Sequence, residues 1–219
     1  MDASLYTIVA SYCRKSGLKD AMNLLDLCSY LGLGAAGAVV INLFIGLLLS
    51  MRYSPLRLWP HRHVNLFAFH RWTAYAAIAL VLAHPMVLLF LHQPHFRIVD
   101  VLWPVHSYLQ PKLNTVGAIA LYLLVLVLLT SLLRTRIGRP LWRRLHYLVF
   151  PTAVLLFIHG IYTDPNLKDG RPDLLDGGKV FLEIAALLTV AAVSVRVHLH
   201  GRGLRPNQVS ESGTAGTGS

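Results

Sequence analysis

The chain has 219 residues, of which 55% are hydrophobic and only 14% charged, a balance that excludes an ordinary soluble domain. Its formal net charge of +10 could suit nucleic acid. The basic residues instead gather in short polar stretches between long apolar runs, which excludes that partner and points to membrane lipid.

In chain order, residues 3–25 mix apolar side chains with Arg14, Lys15, Lys19 and Asp20 and read as a short amphipathic helix on the outer surface, with a partial sixth span as the alternative. Residues 1–28 are accordingly set apart as an N-terminal segment. A first apolar run at 29–50 lies too far along the chain for a signal peptide. It is rich in small residues (Gly32, Gly34, Ala35, Ala36, Gly37, Ala38), which lets a neighbouring helix approach closely. Further runs at 70–92, 113–133, 141–162 and 179–199 each have roughly the twenty residues needed to cross about 30 Å of hydrocarbon. Prolines mark the turns between them. The expected fold is all-α: a polytopic transmembrane bundle of five to six spans over residues 29–200, followed by a flexible polar tail at 201–219.

Arg52, Arg57, Arg62 and Arg71 share one side of this bundle with Arg134, Arg136, Arg139, Arg143 and Arg144, and with Arg196, Arg202 and Arg205 after the last span. Most of the acids lie on the other side. The positive-inside rule puts the arginine-rich side in the cytoplasm, the N-terminus outside and the C-terminus inside, as in a bacterial inner membrane. Cys13 and Cys28, near the outer face, are either a disulfide or two free thiols.

Four of the eleven histidines fall inside the spans: His70 and His84 in the second, His146 and His159 in the fourth. Ionisable residues are costly there and mark function. Fourteen residues, or about 21 Å of helix, separate His70 from His84, and both share one face. His146 and His159 are about 20 Å apart along their axis. Spans two and four run parallel, so the four residues form two pairs at matched depths, His70 with His146 toward the inside and His84 with His159 toward the outside. Two facing neutral imidazoles suit an iron porphyrin better than a bare metal ion, because no Cys, Asp or Glu is expected at these levels to complete a metal's shell. Bis-histidine ligation fills both axial positions and suits electron transfer. Arg71, Arg143 and Arg144 are placed to pair with the propionates of the inner haem. Thirteen residues on a straight helix would turn His159 off the face of His146, so a kink or bulge is expected near Pro151. His92, His95 and His106 read as solvated loop residues, with a metal substrate near the outer haem as the alternative. His61, His63, His198 and His200 read as interfacial.

The spacings His70-x13-His84 and His146-x12-His159, with the approach "GRPLWRRLHYLVF", resemble the ferric reductase-like transmembrane domain. That domain is shared by ferric-chelate reductases, NADPH oxidases and the haem-binding subunit of the bacterial methionine sulfoxide reductase system. The resemblance spans about residues 30 to 200. It implies two b-type haems carrying electrons outward from a cytosolic reductant to a ferric chelate, dioxygen or a periplasmic acceptor protein. The presence of His70 leans toward the two-haem reductase and oxidase branch. No glycine-rich dinucleotide fingerprint occurs, so FAD or FMN is expected on a partner, a cytosolic flavin-containing reductase, or on a longer chain of which this is part; a quinol donor is the remaining option. The rival functions are a haem subunit serving a periplasmic enzyme such as a methionine sulfoxide reductase, and a non-redox transporter or assembly protein.

Overall fold

The computed structural model describes residues 3–51, 65–91, 95–107, 109–164 and 175–201, apart from the side chains of residues 3–23 and 199–201. Every regular element among the described residues is helical: α1 (Ala3–Ser50), α2 (Leu66–Met86), α3 (Ile98–Leu102), α4 (Pro111–Leu132), α5 (Arg134–Ile137), α6 (Arg139–His146), α7 (Val149–Tyr162) and α8 (Gly177–Gly201). Five stretches are long and apolar enough to cross a membrane: Leu24–Ser50, Leu66–Phe90, Pro111–Leu132, Arg139–Tyr162 and Gly177–His198. They correspond to the five expected spans.

Two corrections concern α1. The stretch read as a separate surface helix is continuous with the first span, and the membrane-length part of that helix begins at Leu24 rather than 29. Cys13 and Cys28 lie on this one helix, so fifteen residues separate them by about 22 Å. A disulfide needs its Cα atoms within about 7 Å, so an intrachain bridge is excluded. Cys28 is a buried free thiol, and the side chain of Cys13 lies outside the described residues.

Chain punctuation follows local chemistry. Asn65 caps α2 through its side-chain oxygen, which accepts from Phe67 N–H and Ala68 N–H at 3.1 Å each. Gln110 adopts a left-handed φ of 46° and turns the chain into α4, where Pro111 takes the first helical position. The Gln110 amide oxygen also accepts from Asp164 N–H at 3.2 Å, which ties the start of α4 to the end of α7.

The fourth span is broken. Pro151 has no N–H for the carbonyl of Tyr147 and its ring crowds that carbonyl. Phe150 N–H takes the Tyr147 carbonyl instead, one residue short of the α-helical pattern, and the helix is interrupted at Tyr147–Leu148 between α6 and α7. This is the break expected from the phase mismatch.

The helices pack as α1 on α2 and α4 on α7, with α8 against α1 and α7. One buried cluster, Ala35, Val39, Ala77 and Val81, fills the middle of the bundle together with Leu80, Leu121, Leu124 and Leu156. A second, Leu43, Leu47 and Ala153, joins Phe150, Phe157, Ala192 and Val193. Outward-facing side chains are also apolar, with Phe90, Leu187 and Val190 exposed, as a lipid solvent requires.

Close approach of α7 to α8 depends on Gly160: a methyl added there would stand 2.6 Å from Leu182 Cδ1, whereas at Gly34 it would meet Leu80 Cδ1 at 4.0 Å. Gly160→Val should therefore lower stability by about 1–3 kcal/mol, while Gly34→Ala should be nearly silent. Thermal unfolding in detergent checks the contrast; equal midpoints for the two variants would contradict this packing.

Candidate functional site

The four span histidines meet in two pairs. His70 and His146 have ring centroids 6.4 Å apart with planes at 70°, and His84 and His159 have centroids 6.2 Å apart with planes at 74°. With a metal–imidazole bond of about 2.0 Å and ring nitrogens about 1.1 Å from their ring centre, two imidazoles on opposite sides of one metal put their centroids about 6.3 Å apart. Both pairs are at that separation.

The backs of the rings explain how they are aimed. His70 Nδ1 is 3.1 Å from the Asn42 carbonyl, His84 Nδ1 is 2.8 Å from the Cys28 carbonyl, and His159 Nδ1 is 2.9 Å from the Leu113 carbonyl. A carbonyl only accepts, so Nδ1 carries the proton in each case and Nε2 is left bare, with its lone pair free for a ligand bond. His146 reaches the same state by another route. Its Nδ1 is 3.2 Å from Ser131 Oγ, whose single hydroxyl proton is donated to the Val127 carbonyl at 2.7 Å, so the imidazole donates here too.

Carbonyls inside a helix are reached only where the helix surface is bare. A methyl at Gly32 would stand 3.0 Å from His84 Cε1, one at Gly46 would stand 3.2 Å from His70 Cε1, and one at Gly117 would stand 2.8 Å from His159 Nδ1. Each glycine lies four residues after the accepting residue: Cys28 and Gly32, Asn42 and Gly46, Leu113 and Gly117. Ser131 holds the corresponding position for His146, four after Val127, and its hydroxyl stands in for the carbonyl.

On α1 the clamp is reciprocal. Asn42 Nδ2 donates to the His70 carbonyl at 2.6 Å and to Thr73 Oγ1 at 2.7 Å, and Cys28 Sγ donates to the His84 carbonyl at 3.4 Å. The presence of Cys28 corrects the expectation that no cysteine shares these levels, which followed from starting the first span too late. Its sulfur lies 3.5 Å from Nδ1 of His84, on the back of the ring, and not on the side that faces His159. At the other level Trp142 leans on His146, centroids 5.1 Å apart at 31°. The Arg134 guanidinium lies 5.1 Å over the Trp142 ring.

Beside His84 and His159 lies a cavity of about 510 Å³, lined by apolar residues and glycines such as Gly32, Val81, Gly117 and Leu121 and also by polar ones, among them Asp100 and Lys179. That is within the size range of cofactor sites. Among the described residues no group of three His, Cys, Asp or Glu side chains could hold a metal ion. The paired donors suit a metal that brings its own equatorial ligands, as a porphyrin does.

Arg71, Arg143 and Arg144 are exposed and lie close in sequence to His70 and His146. His95, His106 and His198 are exposed, while His61, His63 and His92 and the side chain of His200 lie outside the described residues. The seats Gly32, Gly46, Gly117 and Ser131, the clamp Asn42 and the buried Lys179 were missed by sequence reasoning. A signal for the seats existed, because Gly32–Gly46 and Gly117–Ser131 repeat the fourteen-residue interval of His70–His84.

Residues 35–157 match the family described as ferric reductase like transmembrane component. No curated protein and no solved structure matches the chain.

Asn42→Leu removes the donor to both the His70 carbonyl and Thr73, which should cost about 1–3 kcal/mol. Unfolding in mixed micelles reads this as a lower midpoint; a midpoint equal to that of the parent would contradict the clamp.

Proposed function

This chain belongs to the ferric reductase-like transmembrane family, a membership that marks a membrane electron-transfer component, and from that premise we propose that it holds two b-type haems and passes electrons across the membrane. The observation that carries the proposal is the set of four imidazoles with their Nδ1–H groups tied behind them and their free faces paired at 6.4 and 6.2 Å. His70 and His146 would hold one haem iron, and His84 and His159 the other. The bound haems supply one-electron redox chemistry.

The chain's own residues do the rest. The back-side hydrogen bonds fix each ring's tautomer and orientation and raise its basicity as a ligand. Glycines at 32, 46 and 117 let the rings sit flush against α1 and α4. The apolar cluster of Ala35, Val39, Ala77 and Val81 separates the two levels and excludes water from the space between them. Arg71, Arg143 and Arg144 pair with propionates at the His70–His146 level. That level faces the cytoplasm, where a separate flavin-containing reductase is the donor. The His84–His159 level serves an acceptor outside, either a ferric chelate or a periplasmic protein.

Haem quantified per purified chain tests this. The parent should carry two haems, and replacing His70, His146, His84 or His159 singly by Ala should leave one. Gly117→Val leaves all four histidines in place but drives a methyl into the His159 ring, so it should cost the same haem as His159→Ala. A chain that folds in the presence of haem and binds none refutes the proposal.

A further inference from the structure

Lys179 stands in the first turn of α8 and lines the cavity beside His84 and His159. The side chain is only 4% exposed. No hydrogen bond or ion pair reaches its ammonium among the described residues, and no fully enclosed polar atom lacks a partner. The ammonium therefore keeps a little open surface, on a residue that lines the cavity. A cation withdrawn from water without a counter-ion costs several kcal/mol, a cost that a carboxylate brought into contact with it offsets.

The helix end reinforces the charge. Asp176 caps α8, with Oδ1 accepting from Gly178 N–H at 2.8 Å and its carbonyl accepting from Val180 N–H at 2.9 Å. Lys179 is thus held at the positive end of a 25-residue helix. Three carboxylates also line the cavity, and none pairs with Lys179: Asp100 accepts from Arg97 N–H, Asp176 serves as the cap, and Asp26 is exposed. A multiply charged anion arriving from outside would be repelled by these three. A single carboxylate attached to an apolar ring that fills the cavity would reach Lys179 without that penalty.

We propose that Lys179 is a carboxylate seat that binds a propionate of the haem held by His84 and His159. The inference rests on the two-haem reading above. It adds to the chain a positioning residue that orients the porphyrin about the axis joining the two imidazoles.

The test uses the full-length protein in detergent, comparing the parent with Lys179→Met, Lys179→Gln and Lys179→Arg. Losing one charge-assisted hydrogen bond should speed transfer of a single haem to apomyoglobin about tenfold or more in the Met and Gln variants. The propionate bands in the resonance Raman spectrum should shift, and one of the two haem potentials should fall. Lys179→Arg should restore all three readouts. Unchanged release, Raman bands and potentials in both uncharged variants would overturn the assignment. So would a raised KM for ferric citrate at unchanged haem retention, which would make the carboxylate that of an incoming chelate. A parent chain with no haem would instead refute the two-haem reading itself, an outcome visible before any variant is compared.

Discussion

The arrangement depends on one interaction repeated around the bundle: an imidazole N–H donated backward into a neighbouring helix. A histidine among lipid-facing helices has no water to satisfy its nitrogens. Giving Nδ1–H to Asn42, Cys28 and Leu113 carbonyls settles one nitrogen and, because it fixes the tautomer, aims the other at the partner ring. Each imidazole and the helix behind it are thereby one unit. This explains why α1 packs so closely on α2 and α4 on α7, since each of those helix pairs is a donor helix lying on its acceptor helix.

The device has a simple geometric requirement. A helix carbonyl already serves the N–H four residues on, and a second donor reaches it only if the residue standing over it is small. Gly32, Gly46 and Gly117 meet that requirement, and the fourteen residues between Gly32 and Gly46 equal those between the two histidines they support, His70 and His84. The fourth seat departs from the rule in an instructive way. Ser131 has a side chain, so His146 bonds to that side chain instead of the carbonyl beneath it, and the Trp142 indole N–H lies 3.4 Å from the same oxygen. The His70–His146 level is flanked by Trp142, with Arg134 over its ring. A cavity lined in part by the buried Lys179 lies beside His84 and His159.

Much of this was legible in the amino-acid sequence because lipid imposes harsh rules. Five apolar runs could hardly be anything but spans, and four ionisable side chains inside them had to be explained together. Pro151 also announced its break, since a missing N–H has consequences one turn back at Tyr147. The failures share a cause. Polar residues before 29 suggest that the first span starts there, yet backbone hydrogen bonding carries the helix through them and brings Cys28 to the level where it clamps His84. Glycine seats are hard to read because a small residue announces only that something approaches closely, not what. Lys179 carries no local sign of its burial, because a charge at a helix start is ordinarily solvated and only the packing of the whole bundle encloses this one.

On the two-haem proposal each histidine pair would grip one iron with its ring planes far from parallel. Low-temperature EPR of the oxidised protein tests this most directly, because the signal of a ferric centre between two imidazoles depends on the angle between their planes. Planes at 70° and 74° predict two low-spin species, both of the strongly anisotropic type given by nearly perpendicular ligands. A high-spin signal, or low-spin signals of the parallel-ligand type, would contradict the account.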